Sequence, residues 1–157
     1  MPLYVGLSFQ LSWTLAMTAQ NIVYKGSCHC GTVNFAVNLP NGFETIRRCN
    51  CSYCSMRGAV MILCKADDLS ITAGSDNLTL YEFHSRTAKH YFCKTCGIYT
   101  HHQRRSDLTQ FGLNVACIEG ISPFDFASVE VSNGKDHPSD TGNTPRIAGT
   151  LRYVASK

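Results

Sequence analysis

Seven of the nine cysteines in this chain fall into three short groups, and that spacing constrains the fold more than any other feature. Cys28 and Cys30 sit in "GSCHCG", Cys49, Cys51 and Cys54 in "RCNCSYCSMRG", and Cys93 and Cys96 in "YFCKTCGI". Closely spaced cysteines suit a metal ion because their thiolates converge on it while amides of the turn point at the sulfurs. Gly97, directly after Cys96, tolerates the backbone conformation that such a turn requires. Cys28, Cys30, Cys93 and Cys96 can together close a four-thiolate zinc site. Such a site would tie an early strand to a late hairpin and supply folding free energy. Cys49, Cys51 and Cys54 make only three ligands, the pattern of a catalytic zinc with an exchangeable position. The same spacing also admits a closed site, completed by Cys64, Cys117 or a nearby His, or by exchange with the first cluster. Cys64 and Cys117 stand alone in apolar runs and read as small buried hydrophobes.

An odd number of cysteines argues against a purely paired disulfide framework. The first sixteen residues, "MPLYVGLSFQLSWTLA", carry no charged side chain, and the first Lys or Arg is Lys25. They lack the basic leader of a signal peptide and fall short of the roughly 20 residues of a membrane span. Residues 1–16 are therefore expected to come from an upstream start codon, with a weak secretion signal as the alternative. Residues 17–157 are expected to form a single domain with its core at 24–138. Without secretion the cysteines belong to the reducing cytoplasm, where thiolate ligation outcompetes disulfides. At 157 residues and a formal charge of +3, the chain suits one core and lacks the concentrated basic charge of a dedicated nucleic-acid binder.

Glycine, asparagine and proline punctuate short runs rich in Val, Ile, Thr, Phe and Tyr, which predicts a mainly β fold. Strands are expected at 32–37, 59–64, 78–83, 89–93, 108–118 and 127–131, with one short helical turn near Ser52. The polar stretch 131–145 reads as a loop, and "RIAGTLRYVASK" as one edge strand or a free tail.

These motifs, with "GLNVACIEG" and "NGKDHP", resemble the glutathione-dependent formaldehyde-activating enzyme family, which includes centromere protein V. The resemblance runs from Tyr24 to Pro138, with all seven clustered cysteines in register. It implies several coiled antiparallel sheets stapled by zinc, a fold shared with methionine sulfoxide reductase B and a zinc-binding Rab accessory protein. It implies two zinc ions per chain. One is structural, on Cys28, Cys30, Cys93 and Cys96. The other is catalytic, on Cys49, Cys51 and Cys54, with its fourth position open. It further implies a carbon-sulfur lyase resembling S-(hydroxymethyl)glutathione synthase, with glutathione as the small thiol and formaldehyde as its partner.

A tripeptide with two carboxylates needs cationic or amide partners. Arg104 and Arg105 could supply bidentate contacts, against the alternative of a solvated hairpin tip. Arg47 and Arg48 could temper the charge of the second cluster. His137 in "KDHP" ranks first among the histidines as a pocket residue. His101 and His102 are proton-shuttle candidates against ordinary core or surface placement, and His29, His84 and His90 carry no independent signal. Asn114, inside an apolar strand, either braces a loop or faces a ligand. A competing reading is a zinc-stabilised protein- or nucleic-acid-binding module without chemistry. A third, methionine sulfoxide reduction, would need a catalytic thiol from Cys64 or Cys117.

Overall fold

A computed structural model describes residues 21–156. The expectation for residues 1–16 lies outside these. Eleven strands form two sheets among the described residues. The smaller is antiparallel, in the order β1 (Val23–Ser27), β2 (Asn34–Asn38), β5 (Leu69–Ala73). The larger contains β3 (Arg47–Cys49), β4 (Met61–Lys65), β6 (Leu78–Tyr81), β7 (Lys89–Cys93), β8 (Tyr99–Gln103), β9 (Gln110–Asn114), β10 (Ser128–Ser132) and β11 (Ile147–Arg152). Its order is β11-β10-β3-β4-β9-β8-β7-β6. Helices are short: α1 (Ser52–Arg57) and the single turn α2 (Pro138–Thr141). No described helix is long and apolar enough to cross a membrane.

Alternation drives burial in the first hairpin. Phe35 and Val37 of β2 point inward and are almost fully covered, whereas their neighbours are half-buried. With Leu39, Ile62, Leu113, Val115 and Ile118 they form the main core between the sheets, and Cys64 and Cys117 belong to it. Gly26 is the close-approach point of the two layers: a Cβ there would collide with the Phe35 ring and the Cys117 carbonyl.

Two departures from the expected strands have local causes. The run 108–118 does not continue as one strand, because Asn114 caps a 3₁₀ turn at Val115–Cys117 through its side-chain oxygen on the Ala116 amide at 3.2 Å. Four strands, β1, β3, β5 and β8, were not anticipated; β3 and β8 carry "RRC" and "YTHHQ", whose charge and histidines mask their pattern. The tail "RIAGTLRYVASK" supplies β11 at the edge of the large sheet. The large sheet is antiparallel except for one pair: β10 runs parallel to β3, with Ser132 opposite Cys49. Parallel neighbours leave the sheet at the same end, so the segment after β10 runs past the segment after β3.

Candidate metal centres

The turn after β1 carries Cys28 and Cys30, and the β7–β8 turn carries Cys93 and Cys96. Gly31 and Gly97 follow these pairs with φ of 76° and 71°, the left-handed region that glycine enters without strain. The four sulfurs lie within 4.8 Å of one another, with Cys28 Sγ 3.5 Å from Cys30 Sγ and Cys30 Sγ 3.7 Å from Cys93 Sγ. Tetrahedral zinc with bonds near 2.3 Å sets its sulfurs about 3.8 Å apart, so the donor set fits. The Val33 amide donates to Cys28 Sγ at 3.3 Å, Asn77 Nδ2 donates to Cys93 Sγ at 3.2 Å, and Thr32 Oγ1 lies 3.3 Å from Cys30 Sγ. The Thr32 hydroxyl and amide hold the Cys30 thiol down to about 6, whereas burial pushes Cys28 up to about 11. This cluster staples the small sheet to the β7–β8 hairpin, packed by Val33, Ile71, Leu78 and Ile98.

The second cluster begins at the end of β3. Cys49 is its last residue, Cys51 caps α1, and Cys54 lies one turn into that helix. Their sulfurs also lie within 4.8 Å of one another. Among the described residues no other Cys, His, Asp or Glu ligand atom joins them at that distance. Backbone amides point at the sulfurs: Cys51 N to Cys49 Sγ and Cys54 N to Cys51 Sγ, both at 3.4 Å. The thiols of Cys49 and Cys54 hold Cys51 down to about 2, and those of Cys49 and Cys51 push Cys54 upward. One negative charge forms readily and opposes the next, which is why a cation suits the site.

Cys64 and Cys117 stand apart from both clusters. Cys64 Sγ faces the Phe111 carbonyl at 3.9 Å and Cys117 Sγ the Tyr99 carbonyl at 3.7 Å, and burial pushes each thiol up to about 12. A raised pKa suits structural thiols, not nucleophiles.

The segment after β10 meets the second cluster as the parallel pairing requires. Asn50 Oδ1 accepts hydrogen bonds from Gly134 N at 2.8 Å and Lys135 N at 3.1 Å, holding this segment against Cys49 and Cys51. His137 follows as the cap of α2, its Nδ1 accepting from Ser139 N at 3.1 Å, which leaves Nε2 as the protonated nitrogen. Burial lowers its pKa, as do the charges of Arg105 and then Arg104, while Asp140 and, after it, Cys51 raise it. Arg105 forms a bidentate ion pair with Asp140 of α2, one bond at 2.7 Å. Arg104 is half-buried and donates to Gln110 Oε1. Asn114 is buried with its amide donating to the Tyr99 carbonyl at 2.9 Å and its oxygen on Ala116, so both ends brace backbone.

The histidines divide. His29 is exposed. His101 is buried, stacked on Tyr91 at 4.6 Å and bonded to Thr100 Oγ1 at 2.9 Å, with burial holding it down to about 4. His102 Nδ1 pairs with the Tyr99 hydroxyl at 2.5 Å, and Gly112 opposite it has no room for a Cβ. His90, which carried no sequence signal, is buried within an aromatic group of Tyr53, Phe83 and Tyr99 beside α1. Spacing also gave no hint of Asn50, Asn77 or Gly134; for Arg57 the clue was its place one helical turn after Cys54.

A mainly β protein with two thiolate clusters, each of which could hold a metal ion, is the class that fold and site define. Residues 23–128 match the glutathione-dependent formaldehyde-activating enzyme family, and the chain belongs to that family. It is similar to the crystal structure of a Rhodobacter sphaeroides protein determined as a Northeast Structural Genomics target. The two are 54% identical with a TM-score of 0.67, over 68% of this chain and 98% of that one. All seven clustered cysteines lie inside the matched residues, whereas Gly134 and His137 follow them.

Proposed function

We propose that the protein is a zinc-dependent carbon-sulfur lyase acting on a small anionic thiol, glutathione in the first instance, with formaldehyde as its partner. The observation that carries this reading is the contrast between the clusters: four sulfurs gather at one and three at the other, within the same 4.8 Å. Zinc bound at Cys49, Cys51 and Cys54 would supply positive charge that favours the thiolate form of a thiol entering beside it. Cys28, Cys30, Cys93 and Cys96 would hold a second, structural zinc.

The chain's own residues prepare the site for an anion. Arg104 and Arg105 of the β8–β9 turn would supply the cations, Arg105 exchanging its Asp140 partner for substrate, and Arg47 of β3 lies close enough to Arg104 to depress its pKa after burial has done so. These cations suit the two carboxylates of glutathione. His137 can present Nε2–H as a donor beside Cys51. In the synthetic direction the thiol sulfur forms a bond to the aldehyde carbon and the carbonyl oxygen gains a proton; in the lyase direction the hydroxyl proton leaves as the carbon-sulfur bond breaks. In this reading His137 handles that proton. A reducing compartment suits thiolate ligands, which supports the cytoplasm as the proposed location.

The test is the rate of S-(hydroxymethyl)glutathione formation above the uncatalysed background. Cys51→Ser should return the rate to background while the first cluster stays loaded. A variant rate equal to that of the unaltered protein would defeat the proposal.

A further inference from the structure

Arg57 is the last residue of α1, one turn beyond Cys54. Gly58 ends the helix with φ of 72°, its amide donating to the Cys54 carbonyl, and the Arg57 side chain folds back over the same turn. Its Nη2 donates to Cys54 Sγ at 3.5 Å, and its guanidinium carbon lies 3.8 Å from the centroid of the Tyr99 ring. Tyr99 is buried, and Tyr53 flanks the same guanidinium at 5.5 Å. Nε and Nη1 are buried with no hydrogen-bond partner, and among the described residues no carboxylate lies within ion-pair distance of Arg57. The imidazole nearby, His90, is held down to about 4 by burial and then by Arg57, so it stays neutral and adds no second positive charge.

Arg57 as a whole is half-buried, yet a guanidinium with two buried, unpartnered nitrogens and no carboxylate is costly unless another anion offsets it. The groups in reach are the thiolates of the second cluster. Three thiolates around one divalent cation carry one net negative charge, and Arg57 carries one positive charge. We propose that Arg57 is the positioning residue that neutralises this centre: it cancels the surplus charge and, through its bond to Cys54 Sγ, draws electron density from one ligand. The aromatic clamp of Tyr99 and Tyr53 keeps the guanidinium at the sulfur in place of a solvent-facing rotamer. The inference rests on the reading of Cys49, Cys51 and Cys54 as metal ligands.

The test uses cobalt-loaded full-length protein, comparing the unaltered chain with Arg57→Met and Arg57→Lys. Arg57→Met, apolar and able to cover Tyr99, should bind the second cobalt about tenfold or more weakly, the usual cost of removing a group that supports a metal ligand. Its thiolate-to-cobalt band should also move to longer wavelength, because a sulfur without its donor gives up an electron more easily. Arg57→Lys should restore most of the affinity through charge alone. Unchanged affinity and band position in Arg57→Met would overturn the proposal, as would a Lys variant as weak as the Met variant. If Arg57→Met fails to fold, Arg57→Leu takes its place under the same criteria. A single cobalt in unaltered protein, held at the first cluster, would instead defeat the underlying reading of the three cysteines.

Discussion

Gly134 is pressed against the Cys49 thiol: a Cβ at position 134 would fall well inside contact distance of Cys49 Sγ and 2.9 Å from Cys51 Cβ. The backbone of a segment 85 residues downstream thereby becomes one wall of the three-cysteine cluster. The cause is topological, since the parallel pairing of β10 with β3 sends both chains off the sheet at the same end.

Gly134→Ala should therefore act on the cluster rather than on the loop alone. Overpacking of this kind costs about 1–3 kcal/mol. Metal analysis should show loss at the second cluster with the first retained; a full complement would mean that the segment yields freely.

Cys64 and Cys117 face carbonyls in the core and not the clusters. Replacing both by Ala should lower thermal stability through cavity formation yet leave the metal content per chain unchanged, as elemental analysis would show. Loss of one ion would reveal either as a ligand.

Asn77 donates to Cys93 Sγ at 3.2 Å and to Thr95 Oγ1 at 3.2 Å, supporting the four-cysteine cluster from outside. A hydrogen bond to a charged sulfur is worth about 2 kcal/mol, so Asn77→Ala should lower the chelator concentration at which the fold is lost. Because the cluster joins the two sheets, its metal release and unfolding should coincide when followed by circular dichroism.

His101 links the fold to pH. Burial holds it down to about 4 in the folded protein, against about 6.5 for an unfolded histidine. As pH falls through 6.5 the unfolded chain takes up the proton first, so the contribution is complete above that value and is lost on the way down to 4. His101→Phe should flatten the fall in urea-unfolding stability by up to about 1.4 kcal/mol per pH unit in this window. An identical slope would show that the imidazole is already charged in the folded state.

The cysteine groups were legible because metal ligation imposes short, regular spacing within each segment. Their assembly into a four-sulfur and a three-sulfur cluster could be paired from spacing only as one arrangement among several. A strand with alternating apolar residues, such as β2, was equally readable, and α1 was expected as a helical turn near Ser52. β3 was hidden because its three residues are "RRC", whose pairing with β4 and β10 is a tertiary effect. Gly134 and Asn50 were invisible for the same reason: their role follows from a parallel register between distant strands. Asn114 shows the reverse, for a polar residue in an apolar run was correctly flagged as needing partners, and both are backbone.

The central claim is that a small thiol enters beside Cys49, Cys51 and Cys54. A glutathione titration of the cobalt-substituted protein, followed by its ligand-field and thiolate-to-cobalt bands, tests it most directly, since zinc has no such bands. A saturable change in about half of the cobalt signal, from the three-cysteine cluster alone, is the expected result. Two bound cobalt ions whose spectrum does not respond to glutathione would contradict it.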